Sequence, residues 1–171
     1  MPTIRPATPR PASSDDLDAV IHLAAATPEA PQWDRMTYER FLSPDNPNSQ
    51  IFIAEAGTKL TGFAAAQIIL DVCELQSIVV AGPARRSGVA TKLLSTLIEW
   101  ARKQSASRVQ LEVRAGNSAA IAFYRRAGLR RDGLRPAYYR NPDEDALLMS
   151  LPLGPRRPLQ SVPEIFPQET D

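Results

Sequence analysis

Cysteine and histidine are nearly missing from this chain of 171 residues: Cys73 and His22 are the only residues of their types. A lone cysteine excludes an internal disulfide and suits a reducing cytoplasm. The same scarcity excludes a zinc site built from cysteine and histidine, and no metal is expected. Long apolar runs are also lacking. The longest mostly apolar stretch, residues 62–70, is far shorter than the ~20 residues needed to span a bilayer. The opening Met1-Pro2-Thr3-Ile4-Arg5 has no apolar segment of the kind a secretion signal carries. Nor is there an excess of one charge: 20 basic residues face 19 acidic ones, for a net +1. No overall field therefore draws the chain to nucleic acid or to an anionic membrane. A soluble cytoplasmic protein without nucleic-acid or membrane partners is the expectation.

What is present suits a globular enzyme or binding protein. The length allows one domain with a substantial core, and the hydrophobic content of 43% is ordinary for such a domain. Proline is the compositional outlier, with 16 residues gathered toward the two ends, Pro2, Pro6, Pro9 and Pro11 at one and Pro155, Pro158, Pro163 and Pro167 at the other. Residues 154–171 show little apolar periodicity. They are expected to form a mobile tail, because they bury too little surface to offset ordering, which leaves residues 1–153 as the domain.

Within that domain the periodicity alternates between strand and helix. A short strand is expected at residues 3–7. Ser14-Asp15-Asp16 opens a helix that runs to about residue 26, and a short helix follows at 37–42. Strands at 51–56 and 60–70 form a hairpin around Gly57-Thr58, and a third strand spans 72–80. The longest helix, 88–104, carries Val89, Leu93, Leu97 and Trp100 along one face. A strand at 109–114 precedes a helix at 118–126 that Gly128 ends in a left-handed cap. Strands at 129–134 and 146–151 complete an α/β fold whose sheet is mixed because of the hairpin.

The most informative stretch joins the third strand to the longest helix: Ser77-Ile78-Val79-Val80, then Ala81-Gly82-Pro83-Ala84, then Arg85-Arg86-Ser87-Gly88-Val89-Ala90-Thr91. Backbone N–H groups at a helix start are unpaired and carry partial positive charge, so they bind phosphate oxygens. Gly88 and Ala90 let a phosphate approach the main chain, and Arg85 and Arg86 add charge. No Gly-Lys-Ser/Thr or Gly-x-Gly-x-x-Gly pattern is present, so neither common nucleotide loop applies. Taken alone, the stretch also fits an ordinary strand-to-helix connection with surface arginines.

A second stretch, Leu111-Glu112-Val113-Arg114-Ala115-Gly116-Asn117 followed by Ala119-Ala120-Ile121-Ala122-Phe123-Tyr124 and Gly128-Leu129, makes the pair specific. Arg85-x-x-Gly88-x-Ala90 resembles the acyl-CoA pyrophosphate motif of the GNAT acetyltransferases, and the second stretch resembles that superfamily's other cofactor motif. The resemblance covers residues 3 to 153. It implies the GNAT fold: a mixed, mostly antiparallel central sheet with helices on both faces. Within the superfamily the run from Leu111 to Tyr124, Arg135 with Tyr138-Tyr139, and Glu144 to Leu153 are similar to the RimI-type ribosomal-protein-alanine N-acetyltransferases. Trp33 and Thr37-Tyr38 fit the substrate-side segment of that group. One departure stands out: Ala81-Gly82-Pro83-Ala84 replaces the usual Asp-Pro-x-Tyr, removing an aromatic but no catalytic group.

The resemblance implies acetyl-CoA as cosubstrate and assigns roles. The pantetheine arm would lie along Ile78, Val79 and Val80. Arg85, Arg86, Ser87, Gly88, Val89, Ala90 and Thr91 would hold the pyrophosphate, and Asn117 would steady the arm from the other side. Glu112 would be the general base and Tyr124 the general acid. On the residues alone, Glu112 also fits a satisfied polar strand residue, Tyr124 a packed helix residue and Asn117 a helix cap. The implied acceptor is the N-terminal alanine of a small-subunit ribosomal protein. An α-amino group with a pKa near ~7.8 is neutral roughly a few hundred times more often than a lysine near ~10.4, which suits a single carboxylate base. A GNAT acting on a small free amine and a non-catalytic acyl-CoA-binding module are the alternatives.

Overall fold

Side-chain alternation along the strands decides where the helices lie. A computed structural model of the protein describes residues 7–154. Its strands are β1 (Arg10–Pro11), β2 (Ser49–Ala56), β3 (Lys59–Ile69), β4 (Val72–Val80), β5 (Arg108–Arg114), β6 (Arg130–Tyr139) and β7 (Glu144–Pro152). The helices are α1 (Leu17–Ala25), α2 (Arg35–Leu42), α3 (Val89–Lys103) and α4 (Ser118–Arg126). In β2 and β3, Ile51, Ile53, Phe63 and Ala65 join a core with Leu17 and Val20 of α1 and Tyr38 and Phe41 of α2. Their neighbours Phe52, Ala54, Ala64 and Ala66 join the other core, with Leu93, Leu94 and Leu97 of α3 and Ile121 of α4. A period of two thus covers both faces of the sheet with helices. Burial of each such leucine contributes about 1.5–3 kcal/mol.

The sheet runs β1-β2-β3-β4-β5-β7-β6, and every neighbouring pair is antiparallel except β4 and β5. Parallel neighbours need a crossover, and α3 supplies it. Both edge strands contain proline, Pro11 in β1 and Pro136 in β6. An edge tolerates the missing N–H that an inner strand would not.

One feature of this sheet shapes the site. β4 and β5 pair only at Val72–Arg108, Cys73–Val109 and Glu74–Gln110. Beyond that point β5 continues along β7 while β4 continues along β3, and the two part. The cause is local: Ala65 pairs with Ser77 and Ala66 with Leu75, so Gln76 is an extra residue in β4. Such a bulge bends and twists the strand that carries it.

The expected elements recur in order, including the cap at Gly128, whose φ is +97°. Most of the strand expected at residues 3–7 lies outside the described residues, as does the tail beyond 154; the described first strand is Arg10–Pro11. β6 runs past the expected end at Leu134, through Pro136 to Tyr139, because its ladder with β7 is interrupted between Arg135 and Tyr139 and then resumes. Within the interruption Ala137 sits at φ +49°, and its N–H donates to Asp145 Oδ1 at 2.8 Å.

Candidate active site

The loop after β4 is built around left-handed residues. Past Val80 a short 3-10 turn at Gly82–Ala84 leads to exposed Arg85 and Arg86, with Arg86 at φ +62°. Arg85 Nε donates to Val80 O at 3.5 Å, and the Ser87 hydroxyl donates to Ala84 O. Gly88 is the N-cap of α3 at φ +83°, and no side chain caps the first turn. A Cβ on Gly88 would meet nothing within 4 Å, so backbone conformation rather than crowding calls for glycine there. The main-chain N–H groups of Val89, Ala90 and Thr91 therefore face outward at the positive end of a helix of 15 residues. Two exposed arginines and an uncapped helix start fit a diphosphate. The Val89 side chain is buried in the α3 core, so only its backbone is available.

The parting of β4 from β5 leaves a cleft of about 250 Å³. Its floor is Glu74, Leu75 and Gln76 on β4 with Gln110, Leu111 and Glu112 on β5. Pro31 and Trp33, from the α1–α2 connection, form one wall, and Tyr138, Tyr139 and Leu148 the other. Trp33 is held by stacking on Phe41, with ring centroids 5.4 Å apart, and by Tyr38 at 5.3 Å.

Glu112 lies in this cleft with its side chain 24% exposed and pairs with Arg135 Nε at 3.1 Å. The Tyr138 phenol hydrogen-bonds to Glu112, and that bond to a carboxylate raises its pKa. Arg135 also stands over the Tyr138 ring, 5.7 Å from its centroid. Burial, and then the nearby Glu112 charge, push the Tyr139 phenol up to about 12. Tyr139 is fixed by Arg114, whose guanidinium lies 4.3 Å from the ring centroid. Glu144 pairs with Arg114 at 3.2 Å and accepts the Gly116 N–H at 2.6 Å. A chain of contacts thus ties the tyrosine pair to β5 and β7.

Tyr124 does not line the cleft. It is buried in the α3–α4 core, where desolvation raises its pKa, with a further contribution from Tyr139. Tyr139 is thus a neighbour of Tyr124 that does line the cleft. Asn117 is the N-cap of α4: its Oδ1 accepts the Ala120 N–H at 3.2 Å, leaving the Nδ2 donors for any other partner. Ile78, Val79 and Val80 lie on β4 where β5 no longer pairs with it.

Glu74, Gln76 and Gln110 were not foreseen as part of the site. Their signal is legible in hindsight. Glu74 and Gln76 flank buried Leu75, and Gln110 and Glu112 alternate with buried Val109, Leu111 and Val113, so polar groups share one side of otherwise apolar strands. Among the described residues, no group of three or more acidic, histidine or cysteine side chains is placed to hold a metal. No helix of the described residues is long and apolar enough to cross a membrane.

Residues 17–129 match the acetyltransferase (GNAT) family. The ribosomal protein bS18-alanine N-acetyltransferase of Escherichia coli (strain K12) is 34% identical over 146 residues, covering 81% of this chain and 93% of that protein. The N-alpha-acetyltransferase RimI of Mycobacterium tuberculosis is 33% identical over 121 residues, covering 68% of this chain and 73% of that protein. The crystal structure of the ribosomal-protein-S18-alanine N-acetyltransferase from Escherichia coli superposes with a TM-score of 0.77 at 29% identity. That superposition covers 93% of this chain and 98% of the other.

Proposed function

The chain belongs to the acetyltransferase (GNAT) family, and from that premise we propose that its acceptor is the N-terminal alanine of a protein, a small-subunit ribosomal protein, in the cytoplasm. The chain is an acetyl-CoA-dependent N-acetyltransferase. The observation that carries the acceptor proposal is the cleft itself: Glu112 lies at the opening between β4 and β5, between the Trp33 wall and the Tyr138–Tyr139 wall. A chain end can enter such an open groove with its backbone alongside the walls. The names of the relatives support the same acceptor class.

Acetyl-CoA supplies the acetyl group as a thioester. In this proposal Arg85, Arg86 and Ser87, with the main-chain N–H groups of Gly88, Val89, Ala90 and Thr91, hold its diphosphate. The main chain of Ile78, Val79 and Val80 offers hydrogen bonds to its arm, and the Asn117 amide steadies that arm from the far side. Glu112 takes the proton from the acceptor amine, directly or through a water. Tyr124, kept protonated by its burial, is the acid for the departing sulfur. We assign these roles to a catalytic domain of residues 1–153, with residues 154–171 as an appended tail.

The test is CoA release from acetyl-CoA with two matched basic peptides, one with a free N-terminal alanine and one with a blocked N-terminus and an internal lysine. Turnover of the first alone is expected. Turnover of the lysine peptide at an equal rate, or of neither peptide while a small free amine is acetylated, would defeat the proposed acceptor.

A further inference from the structure

Among the described residues, Glu74 is a carboxylate without an ion-pair partner. It is half-buried on the cleft floor, and its oxygens accept from Gln110 Nε2 at 3.2 Å and Gln76 Nε2 at 3.1 Å. Gln110 is itself oriented by Arg108, whose Nε donates to Gln110 Oε1 at 3.3 Å. Among the described residues no basic side chain forms an ion pair with Glu74, whereas Glu112 in the same cleft is paired with Arg135. Removing a carboxylate from bulk water is unfavourable unless it is compensated. Glutamine amides fix this one in place yet add no neutralising charge. It is arranged as an acceptor already aimed and waiting for a positive partner.

We infer that Glu74 reads a second positive charge on the acceptor, a few bonds from the amine that is acetylated. The spacing supports a second group rather than the reacting amine. Glu74 is level with Gln110, two residues before Glu112 on β5, and two residues along a strand span ~6.6 Å. That spacing gives each carboxylate its own position along the cleft, Glu74 held by Gln110 and Gln76 and Glu112 paired with Arg135, so two amines a few bonds apart can be met one at each. In a peptide acceptor the group that Glu74 meets is the side chain of an early residue, Lys or Arg; in a small acceptor it is the far ammonium of a diamine. The inference rests on the proposal that an amine is presented at Glu112, and extends it to what accompanies that amine.

The test compares wild type, Glu74→Gln and Glu74→Lys on four acceptors: Ala-Arg and Ala-Glu peptides otherwise identical, and a diamine with the monoamine of the same chain length. The readout is the kcat/KM ratio within each pair, at low and high salt. Wild type is expected to favour the doubly positive member about tenfold, less so at high salt. Glu74→Gln should flatten that ratio and Glu74→Lys should invert it for the peptides. If only the amine pair is turned over, with the ratio lost in Glu74→Gln, the peptide acceptor falls and the role of Glu74 stands. If the peptides are turned over without discrimination, or Glu74→Gln keeps the wild-type ratio while lowering all rates alike, Glu74 is merely structural and the inference is overturned. Absence of turnover with all four acceptors overturns both.

Discussion

Gly62 connects the central sheet to α3, the helix that follows the loop proposed to hold the cofactor, and replacing it with alanine measures how tightly the two are joined. A Cβ built there falls 2.8 Å from Val79 O, 3.0 Å from Val89 Cγ1 and 3.1 Å from Leu93 Cδ1. The carbonyl belongs to the β3–β4 ladder, in which Gly62 pairs with Val80, and cannot retreat without breaking it. Val89 and Leu93 are 2% and 0% exposed, so the strain must lift the first turn of α3. Overpacking of this kind costs about 1–3 kcal/mol, and a backbone atom among the contacts puts Gly62→Ala toward the upper end. Alanine recovers about 0.5–1 kcal/mol in a strand through lower unfolded-state entropy. The net loss is about 1–2 kcal/mol, or a fall in Tm of roughly 2–8 °C for a domain of this size. Thermal melting by circular dichroism and acetyl-CoA titration by calorimetry should report a lower Tm together with weaker binding. Gly82→Ala is the control, since a Cβ there meets nothing within 4 Å. A Gly62→Ala protein that matches wild type in both Tm and Kd would refute the idea that the sheet sets the position of the loop.

Glu112→Gln and Tyr124→Phe should each lower kcat by about 10²–10⁴-fold in the CoA-release assay while the protein stays folded; wild-type rates in both would remove the acid–base assignments. Hydrogen bonding to Arg10 holds the Asp16 carboxyl at about 2, below its ordinary 3.8. A depressed carboxyl stabilises the fold fully above its unfolded value and loses that effect as pH falls through its folded value. Asp16→Asn should therefore lower Tm at pH 7, by progressively less below pH 3.8, with the difference vanishing only once the pH is below about 2; a constant difference across that window would contradict the linkage. Burial pushes the Cys73 thiol up to about 12, with a smaller contribution from Glu74. Iodoacetamide should label it slowly at pH 8 in the native protein and rapidly in denaturant, and equal rates would show that the strand opens readily.

The fold was legible in the sequence wherever periodicity was long. Val89, Leu93 and Leu97 announced α3, and Asn117 and Gly128 bracketed α4 at the residues where the structure ends it. Local pattern could not reveal the bulge at Gln76, because an extra strand residue is defined only against its partner strand. The cleft was hidden for the same reason. Nothing between Val72 and Val80 says that pairing with β5 stops at Glu74. Glu112 was found through the likeness of its surrounding run, whereas Glu74 has no such run and surfaced only once β4 and β5 lay side by side. Tyr124 illustrates the opposite case. Its burial against α3 follows from its helical register, but its neighbour Tyr139 comes from a strand that the sequence ended at Leu134.

The place where β4 parts from β5 also bears on how long the protein survives in a cell. A sheet left open on one side of a strand is an incomplete structure, and its folding equilibrium is shared with whatever fills the gap. A ligand that binds only the folded chain adds about 2.7 kcal/mol at a free concentration 100 times its Kd. That increment is comparable with the margin between a protein that persists and one that is degraded. With acetyl-CoA filling the gap as proposed above, a shortage of the donor would lower acetylation twice over, first through its scarcity and again through a smaller folded population.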